Sequence, residues 1–250
     1  MRIAAQLYTV RQVGDLASQL GLIGACGFED IETIGFHDLA PRDMAQQVER
    51  SGLTVRSAHF DWPEFETRFD DIVELLRLLR CHVVVMPWLE PEERPATPRE
   101  WAAKADRLAG WARQLAAQGI RLAYHNHDFD LVGGTGETPL DLILSHENLY
   151  WQPDIGWLQV SQQDPVKLLQ RYASRIVSVH AKDADPSAGH GDERWRNLGQ
   201  GVVDWPRVLR ILANSPCSDL FVEHDETPNH AETLWTGRTF LMRQLAVEVG

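Results

Sequence analysis

Four apolar runs in the second half of the chain each finish in residues that can ligate a metal or move a proton. They are LAYHNHD (Leu122 to Asp128), YWQPDIGW (Tyr150 to Trp157), IVSVHAKD (Ile176 to Asp183) and LFVEHD (Leu220 to Asp225). One ligand from each gives His125, Asp154, His180 and Glu223, two imidazoles and two carboxylates. A mixed nitrogen and oxygen set suits one divalent ion of Mn, Co, Zn or Fe, whereas Ca and Mg prefer all-oxygen shells. Side chains two apart on a strand share a face. His127, Lys182 and Asp225 would therefore lie nearer the rim, available to substrate or for proton transfer. A single His or Asp at a strand end usually bonds only to its own loop. Four on successive strands point to a shared site.

Ligands spread over a hundred residues meet only if their strands finish at one face, as in a closed parallel barrel. Four earlier strand-like runs, at 2–8, 28–32, 54–60 and 82–88, complete a set of eight. Amphipathic stretches alternate with them at 16–25, 43–50, 69–79, 101–117, 165–172 and 206–213, and 231–249 closes the chain. From Trp101 onward, Leu108, Trp111, Ala112 and Leu115 recur at three- and four-residue spacing, the pattern of one buried helical face. Gly27, Gly52 and Gly119 stand where helices should end before strands. The pattern predicts an α/β fold, a single-domain (β/α)8 TIM barrel over residues 1–250. An open doubly wound sheet would want a Gly-rich first turn, and TVRQVGDL after the first strand lacks G-x-G-x-x-G. The loops at 91–98, 133–139 and 185–201 are long and polar, as active-face loops should be. GGTG from Gly133 is no P-loop, since no GK[ST] follows, and is read as a flexible loop that could serve as a lid.

The net charge of −12 argues against a nucleic-acid partner, which calls for a basic face. Three cysteines, Cys26, Cys81 and Cys217, have no paired spacing and read as reduced thiols. No apolar run approaches the ~20 residues of a membrane span, and no basic segment with an apolar run precedes the first strand. A cytoplasmic enzyme is expected, as a monomer or a homo-oligomer.

The chain resembles the xylose-isomerase-like barrel superfamily, which holds sugar-phosphate isomerases, ketose epimerases, inosose dehydratases and apurinic endonucleases. The likeness runs essentially end to end. It rests on LYTVR (Leu7 to Arg11), GFEDIE (Gly27 to Glu32), AYHNHD (Ala123 to Asp128), PDIGW (Pro153 to Trp157), HAKD (His180 to Asp183), LGQGVVDW (Leu198 to Trp205) and FVEHD (Phe221 to Asp225). By this resemblance the family's metal ligands fall on His125, Asp154, His180 and Glu223. Many epimerases of the family carry Glu in place of His125, as half of a two-carboxylate pair, and His in place of Trp157. Both departures weigh against a two-base epimerase. The YHNH form resembles a branch in which some members are dehydratases or lyases of keto-sugars.

The resemblance implies an enzyme that removes a proton next to a carbonyl of a sugar or sugar derivative. Isomerase/epimerase chemistry is the leading expectation, and dehydration of a keto-sugar or keto-inositol the alternative. A DNA-repair endonuclease is disfavoured by the acidic charge, and a non-catalytic sugar-binding barrel by the complete ligand set. Glu223 is the candidate base, with His127 and His59 as candidates for the second proton transfer and Lys182 to neutralise a developing oxyanion. Glu32 resembles a family position that contacts substrate hydroxyls. Trp62, Trp88 and Trp157 stand near strand ends, where indole faces can pack on sugar C–H surfaces.

Overall fold

The computed structural model describes residues 1–132, 137–161 and 163–248. Eight parallel strands form the barrel: β1 Arg2–Gln6, β2 Asp30–Ile34, β3 Thr54–His59, β4 Val83–Met86, β5 Arg121–His125, β6 Tyr150–Gln152, β7 Ser178–Ala181 and β8 Asp219–Val222. They pair in chain order from β1 to β6, and β8 lies between β1 and β7. Single parallel bridges, Trp151 to Ile176 and Asp154 to His180, join β6 to β7 and close the ring. The expected barrel is therefore present.

Period-two alternation sorts the strand side chains. On β5, Leu122 and Tyr124 enter the large core, which also holds Leu108, Trp111 and Leu115 of the helix Pro98–Ala116. Ala123 faces the other way and packs with Val83 and Val85 of β4 in a separate small cluster. His125 shares the Ala123 face. A row of polar residues, Gln6, Glu32, Ser57, His59, His125, Gln152, Ser178 and His180, is buried within the ring of strands.

Helix ends follow local chemistry. Thr97 accepts from the backbone N–H of Glu100, and Glu100 returns a bond to the Thr97 backbone, a reciprocal cap. Gly27, Gly52 and Gly119 all adopt positive φ, as the αβ turns require.

Three short helices were not in the pattern reading: Trp62–Thr67, Pro139–Leu144 and Ile155–Val160. The last shortens the expected strand at 150–157. β6 ends before Pro153, and Asp154 caps the following helix by accepting from Trp157 N at 2.8 Å. Beyond β7, Asp183–Ala184 pairs antiparallel with Trp195–Arg196 in a two-residue ribbon. The three cysteines are free. No helix among the described residues is long and apolar enough to cross a membrane. The GGTG segment lies outside the described residues.

Candidate metal centre

Parallel strands deliver their ends to one face, and His125, Asp154, His180 and Glu223 converge there. One potential ligand atom from each lies within 4.8 Å of all the others, and all four residues are buried. His125 Nε2 stands 3.7 Å from Asp154 Oδ2, and His180 Nδ1 2.5 Å from Glu223 Oε2. Asp154 holds its place through Oδ1, which caps the helix at Ile155. Its Oδ2 is buried with no hydrogen-bond partner among the described residues. The Lys182 ammonium 3.6 Å away offsets only part of the cost of an ionised oxygen in that position, which is several kcal/mol without compensation. An orphaned carboxylate oxygen beside two imidazoles and a second carboxylate fits a divalent cation. These four residues could hold one.

The electrostatics of three of the four agree with that use. At the fourth, burial is outweighed by the Glu223 and Glu32 carboxylates, which push His180 up to about 10, so a bound cation would take the place of its Nδ1 proton. Burial pushes the Asp154 carboxyl well up, and the nearby Lys182 ammonium only partly offsets the effect. Burial also acts against the charged form of Glu223, but the adjoining His180 and Lys182 outweigh it and hold this carboxyl below its usual range. Burial, reinforced by neighbouring cationic groups, holds His125 and His127 neutral. A neutral imidazole keeps the lone pair a ligand needs.

Above the cluster opens a cavity of about 940 Å³, onto which His59, His125, His127, Trp88, Trp157 and Glu223 face. Trp88 meets His127 edge-on at 4.6 Å between ring centroids, and Trp157 lies 5.0 Å from His127 on another side. The cavity is large enough for a sugar or cyclitol, with indole surface on two sides and carboxylate and imidazole at its base.

A family profile described as xylose isomerase-like TIM barrel matches residues 20–239. The chain belongs to the xylose isomerase-like TIM barrel family. Within that family, it is 32% identical over 240 residues to the rhizopine catabolism protein MocC of Rhizobium meliloti, covering 83% of this chain and 74% of that protein. It is 29% identical over 150 residues to an inosose dehydratase of Clostridium botulinum, covering 54% of this chain and 50% of the dehydratase. The match thus spans about half the length of that dehydratase. A sugar phosphate isomerase/epimerase structure from Parabacteroides distasonis superposes with a TM-score of 0.78 at 18% identity, covering 98% and 94% of the two chains. The IolI protein, solved with a bound zinc atom, gives 0.79 at 16% identity and 98% coverage of both chains. At such identities the structural matches establish the fold alone.

Set in this family barrel, the other expected site residues divide. His59, His127, Trp88 and Trp157 face the cavity. Glu32 does not. It was expected to contact substrate hydroxyls, but β2 runs on to Ile34, so Glu32 sits two residues below the strand end, with its carboxylate wholly buried under the ligand cluster. Trp62 is likewise not a cavity residue. It opens the helix Trp62–Thr67 and packs edge-on against Trp111 at 4.8 Å, in the layer between barrel and helices.

Lys182 is a third correction. Its side chain is 1% exposed and its ammonium is committed to Asp225, with Asp154 Oδ2 at 3.6 Å, beneath Trp195. β7 ends at Ala181, and the next side chain runs against Gly156, where an added Cβ would meet Lys182 Cγ at 2.9 Å. The glycine of PDIGW therefore makes room for a structural cation. Lys182 tempers the carboxylates and is not among the residues that line the cavity. Arg11 bonds to Glu226 and to the carbonyls of Tyr8 and Asp225.

Asp183, another residue of the HAKD run, organises the long loop after β7. It accepts from Gly199 N, Val203 N and Trp205 Nε1 at 2.8 to 3.3 Å. A Cβ on Gly201 would lie 2.1 Å from Asp183 Oδ1, which explains the second glycine of LGQG. Pattern reading missed Gln152 and Asn126 altogether. Asn126 Oδ1 accepts from Trp151 Nε1 and from Asp154 N, anchoring the Asp154 backbone. Its place in NHD between two histidines drew attention to its neighbours.

Proposed function

We propose that this chain is a divalent-metal-dependent enzyme that removes a proton next to a carbonyl of a polyhydroxy ketone and completes the reaction by eliminating water. The observation that carries this reading is the buried ligand cluster, with an orphaned Asp154 oxygen, at the base of a sugar-sized cavity. His125, Asp154, His180 and Glu223 would hold the ion. When bound, it would polarise the substrate carbonyl as a Lewis acid, a contribution of several kcal/mol.

The chain's own groups do the rest. Glu223, kept ionised by His180 and Lys182, borders the cavity and takes the proton from carbon. A positioned base of this kind contributes roughly 10²- to 10⁴-fold. The same carboxyl can return that proton to a hydroxyl leaving from the same face, so that water departs and a C–C double bond forms. Epimerisation by the two-base route needs a second acid/base group opposite the first, which in many epimerases of the family is a carboxylate. His125 stands where many epimerases of the family carry it, and burial holds that imidazole neutral. His127, also neutral and with its Nδ1 buried and unpartnered among the described residues, is placed to bond a substrate hydroxyl. Trp88 and Trp157 bracket the ring.

The inosose dehydratase relatives move weight from isomerisation to elimination. Isomerisation remains the second reading, because one carboxylate on one face also serves a 1,2-proton shift. Incubation with keto-inositols and ketoses in deuterated water, with and without added Mn, Co or Zn, tests both. Metal-dependent loss of water, with deuterium at carbon next to the carbonyl in recovered substrate, supports the proposal. A rearranged product without elimination favours the second reading. No exchange with any metal removes both.

A further inference from the structure

The floor under the ligand cluster is a hydrogen-bond network whose donors and acceptors can be assigned atom by atom, and Glu32 is its hub. Its Oε1 accepts from Gln152 Nε2 at 2.6 Å and from the Ser57 hydroxyl. Its Oε2 accepts from Gln6 Nε2 at 2.6 Å and bonds His180 Nε2. An ionised carboxylate only accepts, so the Gln152 amide must turn its NH₂ toward Glu32. Ser178 Oγ takes a further bond from that NH₂ at 2.9 Å.

Gln152 Oε1 is therefore held on the opposite side. There it faces His59 Nε2 at 2.8 Å and His125 Nδ1 at 3.2 Å. An amide oxygen also only accepts, so both ring nitrogens must carry protons. A neutral imidazole with its proton on Nδ1 has its lone pair on Nε2, and His125 Nε2 is the nitrogen that faces Asp154. His180 presents the other nitrogen. Its Nε2 donates to Glu32 and its Nδ1 to Glu223, so the ring is a cation between two carboxylates. A metal taking the place of the Nδ1 proton would leave Nε2 donating to Glu32. His59 obeys the same rule: Gln6 Nε2 approaches its Nδ1 at 3.5 Å, the side that must carry the lone pair.

Building on the metal-dependent reading above, we propose that Glu32 and Gln152 are positioning residues that select which ring nitrogen each imidazole ligand presents. Glu32 fixes Nδ1 of His180 directly and Nε2 of His125 through the Gln152 amide. One buried carboxylate thus orients both nitrogen ligands from two different strands. Partners of this kind behind metal-bound histidines typically change metal affinity 10- to 100-fold when removed.

Ring-nitrogen NMR of metal-free and zinc-loaded protein tests this, together with zinc affinity by competition with a chromophoric chelator. Wild type should show His125 protonated on Nδ1 in both states, and zinc-loaded His180 protonated on Nε2. Glu32→Gln offers one accepting oxygen where two are needed. It should weaken zinc binding by about 10- to 100-fold and disturb both rings. Glu32→Asp should recover part of the loss. Gln152→Met should disturb His125 and leave the His180 proton on Nε2, a split that general loosening of the fold would not produce. Wild-type His125 protonated on Nε2, or Glu32→Gln with unchanged affinity and ring signals, overturns the proposal. If Glu32→Gln does not fold, an unchanged His125 tautomer in Gln152→Met overturns it. Wild type that takes no zinc yet keeps the His125 proton on Nδ1 supports the network assignment and defeats the metal-dependent reading instead.

Discussion

The two ends of this barrel spend their charges in opposite ways. At the end where strands begin, Asp219 accepts from Arg2 at 2.9 Å and Arg56 at 3.1 Å, and Asp30 lies 3.9 Å from Arg56. Each charge there faces its opposite, and the arginines remain partly in water. At the end where strands finish, two carboxylates and two imidazoles crowd together, buried, and one carboxylate oxygen has no hydrogen bond among the described residues, with the Lys182 ammonium 3.6 Å away. Self-neutralising pairs satisfy one another; converging ligand atoms that include an acceptor without a hydrogen bond suit a cation. The difference separates a network that closes a barrel from one built for a ligand. It also matches the general division of labour between the two faces of such barrels.

The largest effect should come from the finishing end. Glu223→Gln keeps the shape and removes the base, so turnover should fall by about 10²- to 10⁴-fold, or about 3 to 5 kcal/mol of barrier. Wild-type turnover by this variant, measured on whichever substrate the exchange screen identifies, would remove Glu223 from the chemistry.

Asp154→Asn sharpens the contrast further. Zinc at a hundred times its Kd should stabilise the wild type by about 2.7 kcal/mol, an effect reversed by chelator. The variant should lose that response. Its metal-free form should be about as stable as metal-free wild type. The Asn amide oxygen can keep the cap on Trp157 N, Asp154 Oδ2 makes no hydrogen bond among the described residues, and Lys182 keeps its Asp225 partner. Thermal melts with zinc and with chelator read both halves. A destabilised metal-free variant would mean that Asp154 is structural, and the two ends would then be alike.

A pH slope probes the same end without touching the four clustered residues. Burial pushes the Asp130 carboxyl from 3.8 up to about 7, despite bonds from His127 N and Tyr124 Oη. Between those values the folded chain holds a proton that the unfolded chain has released. This site's contribution is complete below the unfolded value and is lost as pH rises through the folded one. Asp130→Asn cannot ionise and should flatten that decline, by at most about 1.4 kcal/mol per pH unit. Denaturant melts at pH 4.5, 5.5 and 6.5 (~1 unit steps inside the window) compare the two chains. Parallel curves would show that Asp130 titrates normally.

Much of this architecture was legible before any coordinates. Alternating apolar runs and glycine-capped helices predicted the barrel, and the polar ends of four runs picked out the residues that converge. What stayed hidden was phase and depth. Glu32 read as a substrate contact because the run it ends in the sequence pattern continues two residues further in the structure. Trp62 read as a strand-end aromatic because the short helix it begins has too few residues to show a period. Lys182 looked available because nothing in HAKD reveals that Gly156 lets its stem pass inward. Gln152 was missed for a different reason: an amide in an apolar strand carries no signal of its own. Its meaning lies in which atom Glu32 forces it to turn.

The smallest effects should come from the end where strands begin. Asp219→Asn removes the negative charge shared by two arginines and should cost about 1 to 2 kcal/mol, since the carboxylate is nearly buried and its bonds are charge-assisted. Arg2→Ala should cost only about 0.2 to 1 kcal/mol, because half of the Arg2 side chain is already in water and Arg56 still serves Asp219. That cost should shrink as salt is raised toward 1 M, where the screening length falls to about 3 Å. Neither substitution should alter zinc affinity. If Arg2→Ala weakened zinc binding as Glu32→Gln is expected to, the closing network and the ligand network would be one coupled system, and the contrast between the ends would fail.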